Sequence, residues 1–113
     1  MERHYKLYRV RELADNDEDF VKALAMTFIE EVPEDLDLLI TAVNTKDYNT
    51  SYQMAHKLKP TVDLFELGIL DDIIEIQDWG KFEKTDLDIT PQFNKVVTAI
   101  EQAVSEIKSD FSL

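Results

Sequence analysis

The sequence predicts an all-α protein, an antiparallel up-down four-helix bundle with an additional N-terminal helix. Two observations carry this. Apolar residues recur at spacings of three and four almost throughout, and only two glycines and three prolines interrupt 113 residues, so helices joined by short turns are favoured and strands have little support. A hydrophobic fraction of 44% suffices for one compact core in a chain of this length, with no room for a second. Residues 1–113 are therefore read as a single domain, with 1–16 as a lead segment and the bundle at about 33–111.

The first clear helix is expected at about 17–31, with Asn16 or Asp17 as cap, acids at its positive end, and Phe20, Leu24, Thr27 and Phe28 on one face. Pro33 is expected to end it and to open a second helix, about 33–45, whose inward stripe is Leu36, Leu39, Ile40 and Val43. Asp47 suits the cap of a third helix, about 48–66, with Gly68 just beyond its end. A fourth, carrying Leu70, Ile73, Ile74 and Gln77, continues to about Phe82, and a charged connector follows. Thr90-Pro91 reads as cap and first turn of the last helix, whose period is the cleanest in the chain: Phe93, Val96, Val97, Ile100, Ala103, Val104, Ile107 and Phe111. Four amphipathic helices with short links bury their stripes most simply as an up-down bundle, with the 17–31 helix laid across one end or side.

A net charge of −12 with no basic stripe makes nucleic acid and anionic membrane poor partners. Without cysteine there is no disulfide or thiolate metal site, and the two histidines, His4 and His56, lie far apart in sequence, so no metal is expected. The acidic runs 15–19, 30–37 and 71–75 lack the twelve-residue loop with its glycine that calcium would need, and read mostly as helix starts and solvated faces. No stretch approaches the length of a membrane span, and a soluble cytoplasmic protein is expected. A chain that begins at Met1 with a full helix set is further expected to be free-standing.

Against this acidity one segment stands apart. Between Tyr48 and Val62 there are two lysines and no acid, so His56, Lys57 and Lys59 form a local positive island. A phosphoryl group needs such a place, with a nucleophile, nearby cations and few repelling anions, and a neutral imidazole can serve as that nucleophile near pH 7. On a helix, Gln53, His56, Lys59 and Asp63 share one stripe beside the apolar stripe Tyr52, Ala55, Leu58, Val62 and Phe65, so His56 is expected to point outward next to the core. Lys57 points elsewhere and reads as a solvated or docking residue. Tyr48, Tyr52 and Trp79 read as packing, and His4 as an ordinary terminal residue.

The run Ala55-His56-Lys57-Leu58-Lys59 resembles the Ala-His-x-Leu-Lys-Gly signature of the histidine-containing phosphotransfer (HPt) domain family. The upstream residues Asp17 to Val21, Thr27 to Pro33, Leu36, Leu39 and Asp47 resemble the helices that precede the reactive histidine in that family, so the likeness covers about residues 5–69. It implies a four-helix bundle in which His56 accepts a phosphoryl group from a receiver-domain aspartate and passes it to another receiver, with Lys59 facing the phosphoryl group. It implies docking through Gln53, Lys57, Pro60 and Asp63, and partners that are response-regulator receivers and a hybrid histidine kinase. The chain has no Gly-rich phosphate loop and no kinase signature, so it is expected to be a carrier without enzyme activity or cofactor of its own.

Two departures stand out. Pro60 replaces the family's glycine; lacking an N–H, it cannot bond the His56 carbonyl four residues back, and a kink or short break is expected there. Phe65-Glu66 stands where a small residue is usual. The alternative function, from a different class, is a helical adaptor that binds receivers or kinases through the same face without chemistry.

Overall fold

An apolar period that begins at Val21 runs without a phase shift through Ala25, Phe28, Val32, Leu36, Leu39 and Ala42, and the backbone follows it. In the computed structural model, which describes residues 4–113, these residues lie on one helix, α2 (Glu18–Asn44), with Pro33 inside it. The expectation that Pro33 separates two helices is thus corrected. Proline in a helix interior costs about 3 kcal/mol, whereas fully burying one Val or Leu side chain returns about 1.5–3 kcal/mol, and α2 buries such residues on both sides of Pro33. Of the face expected for the first half, Phe28 is buried and Leu24 packs against the core, whereas Phe20 and Thr27 are exposed and Val21 and Ala25 are buried in their place.

Asp17 caps α2, its side chain accepting from the backbone N–H groups of Asp19 and Phe20. Ahead of it lies a short helix that the sequence did not announce, α1 (Tyr8–Leu13), which has no side-chain cap and buries only Val10. The N-terminal segment is tied down by a Tyr5 hydroxyl donating to Asp110 at 2.5 Å, a His4–Glu106 pair, and the Lys6 N–H donating to the Phe65 carbonyl at 2.8 Å.

Three more helices follow among the described residues: α3 (Tyr48–Leu64), α4 (Leu70–Lys81) and α5 (Thr90–Asp110). Asp47 caps α3 through the Thr50 N–H at 3.1 Å, and α3 closes not on glycine but on Glu66 in the left-handed region (φ +53°), with the Leu67 N–H returning to the Val62 carbonyl at 3.0 Å. At the start of α5 the capping carboxylate is Asp88, which accepts from the Thr90 N–H at 2.9 Å, so Thr90 is the first helical residue rather than the cap. Helix α3 packs against α2 and α4, and α5 packs against the same two, with α1 on α2. The described residues are all helix and connection, without strands, within 45 × 23 × 23 Å. None of these helices is long and apolar enough to cross a membrane.

The core beneath α3 consists of Ala55, Leu58 and Val62, which meet Phe28 and Val32 of α2, Ile73 and Ile76 of α4, and Ile100 of α5 in one buried cluster. Phe65, the bulky departure at the end of α3, is buried with its ring 4.7 Å from that of Phe28. Trp79 is buried with its ring 4.6 Å from Tyr48, as packing. The buried stripe on one side of α3 fixes what the other side shows to solvent.

Candidate functional site

His56 lies in the middle of α3, opposite its buried stripe, and is exposed. The helix passes Pro60 without a break, so of the kink or short break expected there the break does not occur. Both Pro60 and His56 are on the exposed face, where water can take up the His56 carbonyl that proline leaves without a helical partner. Gln53, His56 and Pro60 thus form a solvent-facing strip along successive turns.

The imidazole is held from two sides. Its Nδ1 lies 3.3 Å from the Gln77 Oε1 on α4, and its ring stacks on Tyr52, one turn back, with centroids 5.9 Å apart and planes at 25°. An amide oxygen only accepts, so in this orientation the proton belongs on Nδ1 and the lone pair on Nε2. The Nε2 atom is then the one with the free lone pair, and the half-buried Tyr52 lies against one face of the ring.

The two lysines beside His56 go separate ways. Lys57 reaches α2, where its Nζ donates to the Asp35 Oδ1 at 3.0 Å; Asp35 is 7% exposed. That bond, then the Asp35 charge itself and the nearby Glu31 and Glu34, hold the Lys57 ammonium above its ordinary pKa. Asp35 also corrects the reading of its acidic run as a solvated face. Lys59 is half-buried and is seven residues, two turns, from Tyr52, so it shares the side of α3 that meets α4. No described side chain forms an ion pair with it.

Asp63 pairs with Arg9 of α1 at 2.8 Å, which ties α1 to the exposed strip two turns beyond His56. A cavity of about 150 Å³ lies between α2 and α3 beside Lys57, with Leu24, Phe28, Asp35, Thr61 and Leu64 in its walls. No group of three or more His, Cys, Asp or Glu side chains among the described residues is placed to hold a metal ion.

The structure therefore gathers His56, Gln53, Lys59 and Pro60 on or beside one face, and turns Lys57 and Asp63 to partners on α2 and α1. Gln77 was not among the site residues expected from sequence; its place on the fourth helix was legible, but its register against α3 was not. Comparisons with protein-family models, with curated proteins and with solved structures find no match for this chain.

Proposed function

We propose that this protein is a phosphohistidine carrier of the HPt type, working between receiver domains of a two-component phosphorelay. The observation that carries the reading is an exposed imidazole whose Nδ1 meets an amide oxygen, so that a lone pair on Nε2 faces solvent in a segment free of acids. The proposed arrangement is an up-down four-helix bundle of α2 to α5 with α1 at one end; the packing of α3 and α5 each against both α2 and α4 supports it.

In the forward step the Nε2 lone pair of His56 attacks the phosphorus of a receiver's aspartyl phosphate in line. The P–N bond forms as the P–O bond to the aspartate breaks, and the aspartate leaves as a carboxylate. The Nδ1 proton stays hydrogen-bonded to Gln77, which supports the positive charge that the ring acquires. Lys59 offsets charge on the transferred oxygens. Delivery to a second receiver is the reverse, with that receiver's carboxylate as nucleophile and His56 Nε2 as leaving group. Divalent metal and the remaining catalytic groups belong to the receivers.

Docking is assigned to the strip Gln53, His56 and Pro60 with its neighbours Lys57 and Asp63, and the chain's acidity favours receivers with a basic rim. A hybrid histidine kinase upstream and a cytoplasmic location follow from the same reading. Phosphorylated receivers incubated with the protein should transfer label to it, and His56→Ala should abolish the transfer while leaving receiver binding intact. Receiver binding without any transfer would instead establish the adaptor.

A further inference from the structure

We propose that Gly80, a buried residue of α4 that makes no contact with His56 itself, is a positioning residue that sets how closely Gln77 approaches His56; the proposal rests on the phosphocarrier reading for its consequence in rate, though not for its geometry. Glycine in a helix costs about 0.5–1 kcal/mol relative to alanine, so a buried glycine within α4 asks for a reason. Capping is not that reason, since the left-handed residue after α4 is Glu83 (φ +47°).

The reason is the crossing of α3 and α4. A Cβ on Gly80 would lie 2.6 Å from the Tyr48 carbonyl oxygen, 2.7 Å from the Tyr52 backbone nitrogen and 3.1 Å from the Tyr52 Cα. All three are backbone atoms and cannot rotate away. Relieving the contact to ordinary van der Waals separation needs α4 to retreat from α3 by about 0.8 Å or more.

Gln77 sits one turn before Gly80 on α4, and His56 sits one turn after Tyr52 on α3. The Gly80–Tyr52 approach and the Gln77–His56 hydrogen bond are therefore adjacent rungs of one crossing. At 3.3 Å the hydrogen bond is already near the long end of the useful range, so a retreat of this size breaks it. Gly80 acts on the nucleophile through Gln77, and its effect falls on which ring nitrogen carries the proton.

The test compares the intact protein with Gly80→Ala, Gln77→Ala, the double variant, and Ile76→Val, which trims a fully buried α4 side chain one residue from Gln77 without adding an atom at the crossing. The first readout is the ¹⁵N shift pattern of the His56 imidazole in the unphosphorylated protein; the second is the rate of label transfer from a phosphorylated receiver. Gly80→Ala and Gln77→Ala should each move the neutral ring away from the Nδ1–H form and slow transfer by about two- to tenfold, the worth of one hydrogen bond, and the double variant should be no slower than either. Ile76→Val should leave the ring pattern unchanged. A folded Gly80→Ala protein with the native ring pattern, or single effects that multiply in the double variant, would overturn the proposal. So would a shifted pattern in Ile76→Val, because any loosening of α4 would then suffice; this arm can overturn the proposal even where Gly80→Ala does not fold. A ring shift in Gly80→Ala without label transfer in any variant upholds the positioning role and removes the phosphocarrier reading alone.

Discussion

Replacing Lys59 by alanine removes an unpaired cation one helical turn from His56, while replacing Lys57 removes a cation already committed to Asp35. The two substitutions should therefore have opposite consequences. Side chains one turn apart have Cβ atoms about 5–6 Å apart. Two unit charges at about 6 Å interact by about 0.7 kcal/mol at the dielectric of water and about 3 kcal/mol at an effective value near 20, and a half-buried lysine lies between these limits. At about 1.4 kcal/mol per decade, Lys59→Ala should slow phosphoryl transfer by about three- to a hundredfold. Lys57→Ala should change the rate by no more than about twofold, because that charge is directed at α2, and should instead lower stability by leaving the buried Asp35 carboxylate without its cation. The assay is the single-turnover rate of label transfer from a phosphorylated receiver, at one salt concentration and saturating receiver, with urea melts run in parallel. Equal slowing by the two substitutions, or a Lys59→Ala rate within about twofold of the native one, would refute the division of roles.

Pro33→Ala should stabilise the protein by about 1–3 kcal/mol, because α2 continues through that position and alanine restores an N–H to the Ile29 carbonyl; a lower urea midpoint would mean that Pro33 has a packing role in α2. Leu58→Ala, under the His56 turn and 1% exposed, should cost about 2–5 kcal/mol, read as a shift of the thermal midpoint. Thr50, by its hydroxyl and then its backbone N–H, holds Asp47 below the ordinary aspartate range, and Thr90 does the same for Asp88. A group depressed on folding contributes stability that is complete above its unfolded value, about 3.9, and is lost as pH falls through the folded one. Urea midpoints should therefore fall between pH 5 and pH 2, and less steeply in Asp47→Asn, which keeps an acceptor for the cap without titrating; an unchanged slope would contradict the assignment.

How much of this the sequence discloses depends on the range of the interaction. Local rules served well where one short-range force decides: the Asp17 and Asp47 caps, the stripe of Ala55, Leu58 and Val62, and the exposed placement of His56 all follow from period and capping chemistry. At Pro33 the local penalty is outweighed by burial on both sides of it, which no local rule registers, and Phe20 and Thr27 fall outside the inward face because a single period runs through both halves of α2. Helix α1 leaves little trace in the sequence, because its six residues carry no side-chain cap and only one buried side chain. The partners of the site were illegible for a different reason. Gln77 lies 21 residues and Asp35 lies 22 residues from the side chains they bond, and nothing in period or composition gives the register between helices. Gly80 is similarly silent, since a glycine near a helix end has many uses and only the helix crossing, where a Cβ would come within 2.6 Å of the Tyr48 carbonyl oxygen, distinguishes this one.

Phosphoryl carriage by His56 is checked by incubating the protein with phosphorylated receiver domains of its source organism and determining the chemistry of any label that moves. It requires an acid-labile, alkali-stable phosphoramidate on His56, absent in His56→Ala and discharged by a second, unphosphorylated receiver. Receivers that bind the protein but leave it unlabelled, or label that persists in His56→Ala, would contradict it.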